Sequence, residues 1–99
     1  MVDLNNLREK DVEAYFTRRV KAAGGVSRKW SSPAFRGVPD RLAFFPNGEL
    51  YIVEMKAPNK KTTPLQDREI GLLRGLGHNV FVLDSYESVD TWIDKVKLT

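Results

Sequence analysis

Apolar residues first recur at helical spacing: Leu7, Val12, the Tyr15/Phe16 pair and Val20. That period predicts a helix over residues 6–23, and the Gly24–Gly25 pair after it supplies a left-handed stop. A short strand is expected over 26–30. The next stretch, SSPAFRGVP, gathers Ser, Pro and Gly and reads as loop. Two strands are expected over 40–45 and 49–56. Pro46-Asn47-Gly48 joins them, and Asn-Gly tolerates the positive φ that a tight hairpin requires. Thr63 suits a helix N-cap, Pro64 the first helical position, and Gln66 the reciprocal place of a capping box. That helix is expected to end near Leu76, before Gly77. Asn79–Asp84, NVFVLD, reads as a buried strand. Ser85 caps a last helix with apolar Val89, Trp92, Ile93 and Val96. The order is αβββαβα. A hairpin followed by a helical crossover to another strand predicts an α/β fold, a mixed sheet flanked by helices.

One strand breaks its own pattern. Leu50–Val53 is apolar throughout, but Glu54 and Lys56 follow before Pro58 ends the run. Strand alternation puts Glu54 and Lys56 on one face and Val53 and Met55 on the other. Pairing through the hairpin brings the start of one strand beside the end of the next. Asp40, fourteen residues before Glu54, should therefore stand at the same sheet end. Two carboxylates and a lysine so placed suit a hard cation. Mg²⁺ is commonly held by one or two carboxylates together with water and a substrate phosphate. A metal acidifies bound water and stabilises charge on phosphate, and a neighbouring lysine offsets charge in the transition state. The backbone carbonyl of Met55 offers one neutral ligand more. Hydrolysis of a phosphodiester needs little else.

These residues resemble the PD-(D/E)xK nuclease signature: Val-Pro-Asp at 38–40, then Glu-Met-Lys at 54–56. More narrowly, the chain is similar to a compact, stand-alone VRR-NUC domain, the virus-type replication–repair nuclease module. The resemblance runs over roughly residues 7–86 and rests on Glu9, GVPD at 37–40, EMKAP at 54–58 and Gln66, in that order. It implies a restriction-endonuclease-like fold and one nuclease domain over 1–99. It implies Asp40 and Glu54 as metal ligands, with Mg²⁺ or Mn²⁺ as cofactor, Lys56 as the catalytic lysine and Gln66 as an auxiliary site residue. The family's spacing favours Glu9 as the helical carboxylate, although Glu13 shares its helix face. It also implies a structure-selective DNA endonuclease, with a homodimeric Holliday-junction resolvase as the leading expectation. Flap or single-strand cleavage, or a non-catalytic DNA-binding module of the same fold, are the alternatives. The apolar last helix around Trp92 and the first helix are the candidate dimer surfaces.

Each residue also has a plain structural use. Asp40 suits a turn, and a capping box alone accounts for Gln66. His78 lies in a turn far from the motif. Trp30 and Trp92 read as packing residues, and Phe35 as either a DNA contact or a cover for the core.

Charge sharpens the choice of partner. The net charge is +3 over 99 residues, but residues 17–61 hold ten Lys/Arg against three acids. A basic middle around isolated carboxylates fits a polyanion held near a metal. Arg18, Arg19, Lys21, Arg28, Lys29, Arg36, Arg41, Lys60 and Lys61 are the candidate phosphate contacts. Such contacts position a duplex without reading its sequence. There is no cysteine, which excludes disulfides and Cys-ligated metals. No apolar run approaches a membrane span, and the N-terminus lacks the pattern of a signal peptide. A cytoplasmic protein of a bacterial or phage-infected cell is the expectation.

Overall fold

The structure, a computed structural model, describes residues 7–97. The expected start of the first helix at Asn6 lies outside them. The helix α1, Glu9–Ala22, buries Val12, Phe16 and Val20 along one stripe. Its end is the stop that the Gly-Gly pair promised. Gly24 has φ +92°, its amide donates to Lys21 O, and the Gly25 amide donates to Val20 O. This is a Schellman closure, which satisfies carbonyls that a helix end leaves orphaned.

Four strands follow the predicted order: β1 (Val26–Lys29), β2 (Arg41–Phe44), β3 (Leu50–Met55) and, after α2 (Pro64–Gly75), β4 (Val80–Leu83). The last helix α3 is Tyr86–Lys97. The strands stand side by side in sequence order. β1, β2 and β3 pair antiparallel, and β4 joins β3 in parallel. A parallel neighbour needs a crossover, which α2 provides. Asn47 and Gly48 both take positive φ in the β2–β3 turn, as an Asn-Gly hairpin requires.

The strand period assigns the two faces. Ala43, Tyr51, Val53, Met55 and Leu83 join α1 and α3 in one core. Phe16, Phe45, Tyr51 and Phe81 crowd around the Trp92 ring, with centroids 5.2 to 6.2 Å away. Trp92 is 2% exposed, so its packing reading holds. The opposite face carries Ile52 and Val80, with Leu42 and Trp30, under Ile70 and Leu73 of α2. β3 lies between two partners and under helices on both sides, so Tyr51–Met55 is wholly buried. That run includes Glu54.

The apolar residues of α1 and α3, the candidate dimer surfaces, are spent on each other and on the sheet. Asp90 of α3 further ties the pair by accepting from Tyr15 Oη at 2.7 Å and facing Arg19 at 3.1 Å. Among the described residues, no helix is long and apolar enough to cross a membrane.

Candidate active site

The site forms where β2 begins and β3 ends. Asp40 stands one residue before β2, and its carbonyl accepts from the Trp30 amide at 2.7 Å, which prolongs the ladder beyond β1. Its side chain turns to β3, where Oδ2 accepts from the Met55 amide at 3.0 Å. This bond fixes the carboxylate beside Glu54. Within a strand, a residue's amide and carbonyl point to the same neighbour. The Met55 carbonyl therefore faces the Asp40 side, as a neutral ligand there would have to. Burial pushes the Asp40 carboxyl above its ordinary range, and the Met55 amide works against that rise.

Glu54 is 1% exposed. Its Oε2 accepts from Gln66 Nε2 at 2.9 Å and lies 3.5 Å from Lys56 Nζ. Its Oε1 is buried and has no hydrogen-bond partner. A buried carboxylate oxygen with no donor carries a desolvation penalty. Burial, followed by the charge of Asp40, pushes the Glu54 carboxyl up to about 7, and Lys56 offsets only part of this.

Gln66 makes the contacts that both readings of its role require. Its Oε1 accepts from the Thr63 amide at 2.9 Å, while its own amide donates to Thr63 Oγ1 at 3.2 Å. That is the capping box. The other end of the same side-chain amide donates to Glu54. An amide has both a donor and an acceptor end, so one residue caps α2 and grips the site.

Glu9 and Glu13 both stand close enough to Asp40 for charge to act between them, but they differ in their partners. Glu13 is engaged with Arg41, Oε1 lying 3.3 Å from Nη2. Glu9 opens α1 with no ion pair or hydrogen bond among the described residues. It stands more open to solvent, yet crowding at the site and then the charge of Asp40 push its carboxyl up. Glu9 is thus the uncommitted helical carboxylate at this end of the sheet.

Gly37, the first residue of GVPD, has a structural use that the motif alone does not show. It has φ +87°, and a Cβ there would stand 2.5 Å from the Leu65 carbonyl oxygen and 3.0 Å from the Gln66 amide nitrogen. The loop before Asp40 thus packs directly on the first turn of α2, and only glycine permits the approach. Pro39, beside Asp40, is fully buried.

The basic residues divide. Lys29 is close enough to influence Glu9, and Lys60 and Lys61 are exposed in the loop after Lys56. Arg36 stands beside Phe35 and α2. Arg28 shares the α2 face of the sheet with its partner Leu42. Arg41 is held by Glu13. Arg18, Arg19 and Lys21 are not brought to the site. Nine to twelve residues along α1, at 1.5 Å each, they stand roughly 14 to 18 Å from Glu9. Arg19 pairs with Asp90, and Arg18 lies over the Tyr15 ring. His78 is likewise remote, and its amide closes the α2 end by donating to Leu73 O.

Among the described residues, no three His, Cys, Asp or Glu side chains converge as a closed ligand set. Two carboxylates with raised affinity for protons, an orphaned oxygen and a carbonyl form an open, all-oxygen set instead. That fits Mg²⁺ or Mn²⁺, which keep water and phosphate as ligands, and does not fit structural zinc.

Known proteins resemble the chain in sequence and in fold. No family model matches the chain. A curated relative from Acyrthosiphon pisum secondary endosymbiont phage 1, named "Putative nuclease p44", is 48% identical over 81 residues, 82% of this chain and 87% of the relative. A solved structure described as "VRR_NUC domain" has a TM-score of 0.82 at 40% identity, over 87% of this chain and 94% of its own.

Proposed function

The chain belongs to the VRR-NUC family, and on that premise we propose that it is a Mg²⁺- or Mn²⁺-dependent, structure-selective DNA endonuclease. Its fold is the restriction-endonuclease-like mixed sheet with flanking helices that the resemblance implied. The observation that carries the proposal is the buried carboxylate of Glu54, which keeps one oxygen without a donor beside Asp40 and Lys56. A core built only for stability would put an apolar side chain there.

Asp40, Glu54 and the Met55 carbonyl would hold the cation, which when bound supplies Lewis acidity and a more acidic water. The chain's own residues do the rest. Met55 donates to Asp40 and Gln66 to Glu54, so neither carboxylate is free to swing away. Such preorganisation is what electrostatic catalysis requires. Lys56 Nζ, 3.5 Å from Glu54 at the same edge, would approach the scissile phosphate and offset its growing charge. Glu9 lies on the open side, where it can orient the attacking water. Lys29, Arg28, Arg36, Lys60 and Lys61 would meet backbone phosphates. None of these contacts reads bases.

A branched DNA cut symmetrically needs two sites, and a two-fold dimer supplies them. The proposal extends to a homodimer cutting four-way junctions, within one nuclease domain over the whole chain. The test is labelled single-stranded, duplex, flap and four-way DNA incubated with and without Mn²⁺. Paired nicks in the four-way DNA, lost in Lys56→Ala, support it. Cleavage of flaps alone by a monomer would remove the junction reading. Tight binding with no cleavage would make the protein a non-catalytic module.

A further inference from the structure

Lys21 is a cation that the site itself does not use, yet the chain leads from the site to it and back. α1 starts at the site with Glu9 and reaches Lys21 about 18 Å further on. β1 then returns, and the Trp30 amide meets the Asp40 carbonyl at the site end. The far part of the space between helix and strand is a groove of about 280 Å³, lined by Thr17, Lys21, Gly25, Val26, Ser27 and Arg28. No acid lines it. β1 is also the edge of the sheet. Trp30 bonds towards β2, so by antiparallel alternation the Ser27 and Lys29 amides point out of that edge. Arg28 folds its guanidinium over the same edge, Nη1 donating to Ser27 O at 2.9 Å. Lys29 stands between the groove and the site, near enough for its charge to reach Glu9. Lys21, Arg28 and Lys29 make no ion pair among the described residues. Glu13, the last acid along α1, is already met by Arg41. Charged side chains also guard sheet edges against pairing. A guard needs charge on the strand alone, whereas here the facing wall, α1, carries a cation as well.

We propose that the groove between α1 and the β1 edge holds the sugar-phosphate backbone of one duplex arm of the substrate, an inference that rests on the DNA-nuclease reading above. The arm leaves the site past Lys29, follows the β1 edge and makes its last contacts with Arg28 and Lys21. The outward amides of Ser27 and Lys29 add neutral donors along the way. They stand about 6.6 Å apart, two strand residues. The distance from Glu9 to Lys21 sets the reach of this track. At about 3.4 Å per base pair, 18 Å is roughly five base pairs of the arm. All these contacts are to phosphate, so the track measures the length of an arm and not its sequence. Lys21 is then a positioning residue, remote from the chemistry, that holds the arm in line with the cut.

The test is binding of a labelled, long-armed four-way DNA in EDTA, titrated over a range of salt, with nicking in Mn²⁺ measured beside it. Lys21→Ala combined with Arg28→Ala should weaken binding roughly tenfold and lower the salt slope by about 2, one for each lost phosphate contact. The thermal unfolding of an intact fold should be retained. Neutral methylphosphonates scanned along the arm should weaken the wild type most at about four to six nucleotides from the nick. The double variant should be insensitive to them there, because the contact is already gone. Unchanged affinity and salt slope in the double variant would overturn the proposal and leave these cations as guards of a sheet edge. A variant as sensitive as the wild type to methylphosphonates at those positions would place Lys21 and Arg28 elsewhere on the DNA and overturn it too. A wild type that binds none of the DNA would overturn the DNA reading together with the groove. Binding without nicking would count against the nuclease reading alone, and the affinities would still decide the groove.

Discussion

Replacing Glu54 by Gln should stabilise the metal-free protein at alkaline pH. Glu54 is buried and its carboxyl is raised to about 7 from 4.5. A group whose pKa rises on folding holds its proton better in the native state. Its stabilising contribution is complete below the unfolded pKa and is lost as pH rises through the folded one. At 1.36 kcal/mol per unit, ionising Glu54 in place removes about 3 kcal/mol in all. About 2 kcal/mol of this falls between pH 5.5 and 8. For a domain of this size that is a fall of roughly 10 °C in melting temperature. Asp40 and Glu9 are raised in the same direction and add to the slope. The assay is thermal melting by circular dichroism in EDTA at both pH values. Glu54→Gln should flatten the dependence and melt above the wild type at pH 8. Mn²⁺ at pH 8 should raise the wild type and leave the variant where it was. Parallel curves for the two proteins across this pH range would refute the argument that Glu54 is a buried charge awaiting a cation.

Three further outcomes follow from particular contacts. Gln66→Glu keeps the acceptor that the Thr63 amide needs but sets a carboxylate against Glu54. It should lose about 2 kcal/mol at pH 8 and most of the nicking activity, whereas a residue that only capped α2 would tolerate Glu as wild type. Gly37→Ala meets both a positive φ and backbone at 2.5 Å. It should lose at least about 2 kcal/mol in denaturant melts, and Gly24→Ala, with nothing within 4 Å, only about 1 kcal/mol. Gly71 sits mid-helix with open space where a Cβ would stand, so Gly71→Ala should gain up to about 1 kcal/mol in the same melts.

Local chemistry made the fold legible. The caps at Thr63 and Ser85, the glycine stops and the Asn-Gly turn each act within a few residues. The Ser85 cap, for instance, is a reciprocal pair, with Ser88 N donating to Ser85 Oγ and Ser85 N to Ser88 Oγ, both at 3.0 Å. The strand period and the hairpin together sufficed to put Asp40 beside Glu54 and Lys56. Three things were not legible, because they depend on distance in space. Glu9 and Glu13 share a helix face, and only the position of Arg41 gives Glu13 a partner that Glu9 lacks. Arg18, Arg19 and Lys21 look close to the motif in the sequence, but α1 carries them to the far end of the sheet. α2 carries apolar residues on two sides, and periodicity does not say which stripe meets the sheet. Ile70 does, and Leu72 does not.

The central claim is that the buried Glu54, with Asp40 and Lys56, forms a metal-dependent phosphodiesterase site. Cleavage of a labelled four-way DNA with Mn²⁺, by the wild type and by Lys56→Ala, tests it most directly. The account predicts nicks in the wild type only when the metal is present, and a loss of at least about 100-fold in the variant. Cleavage that persists in EDTA, or that Lys56→Ala leaves unchanged, would contradict it.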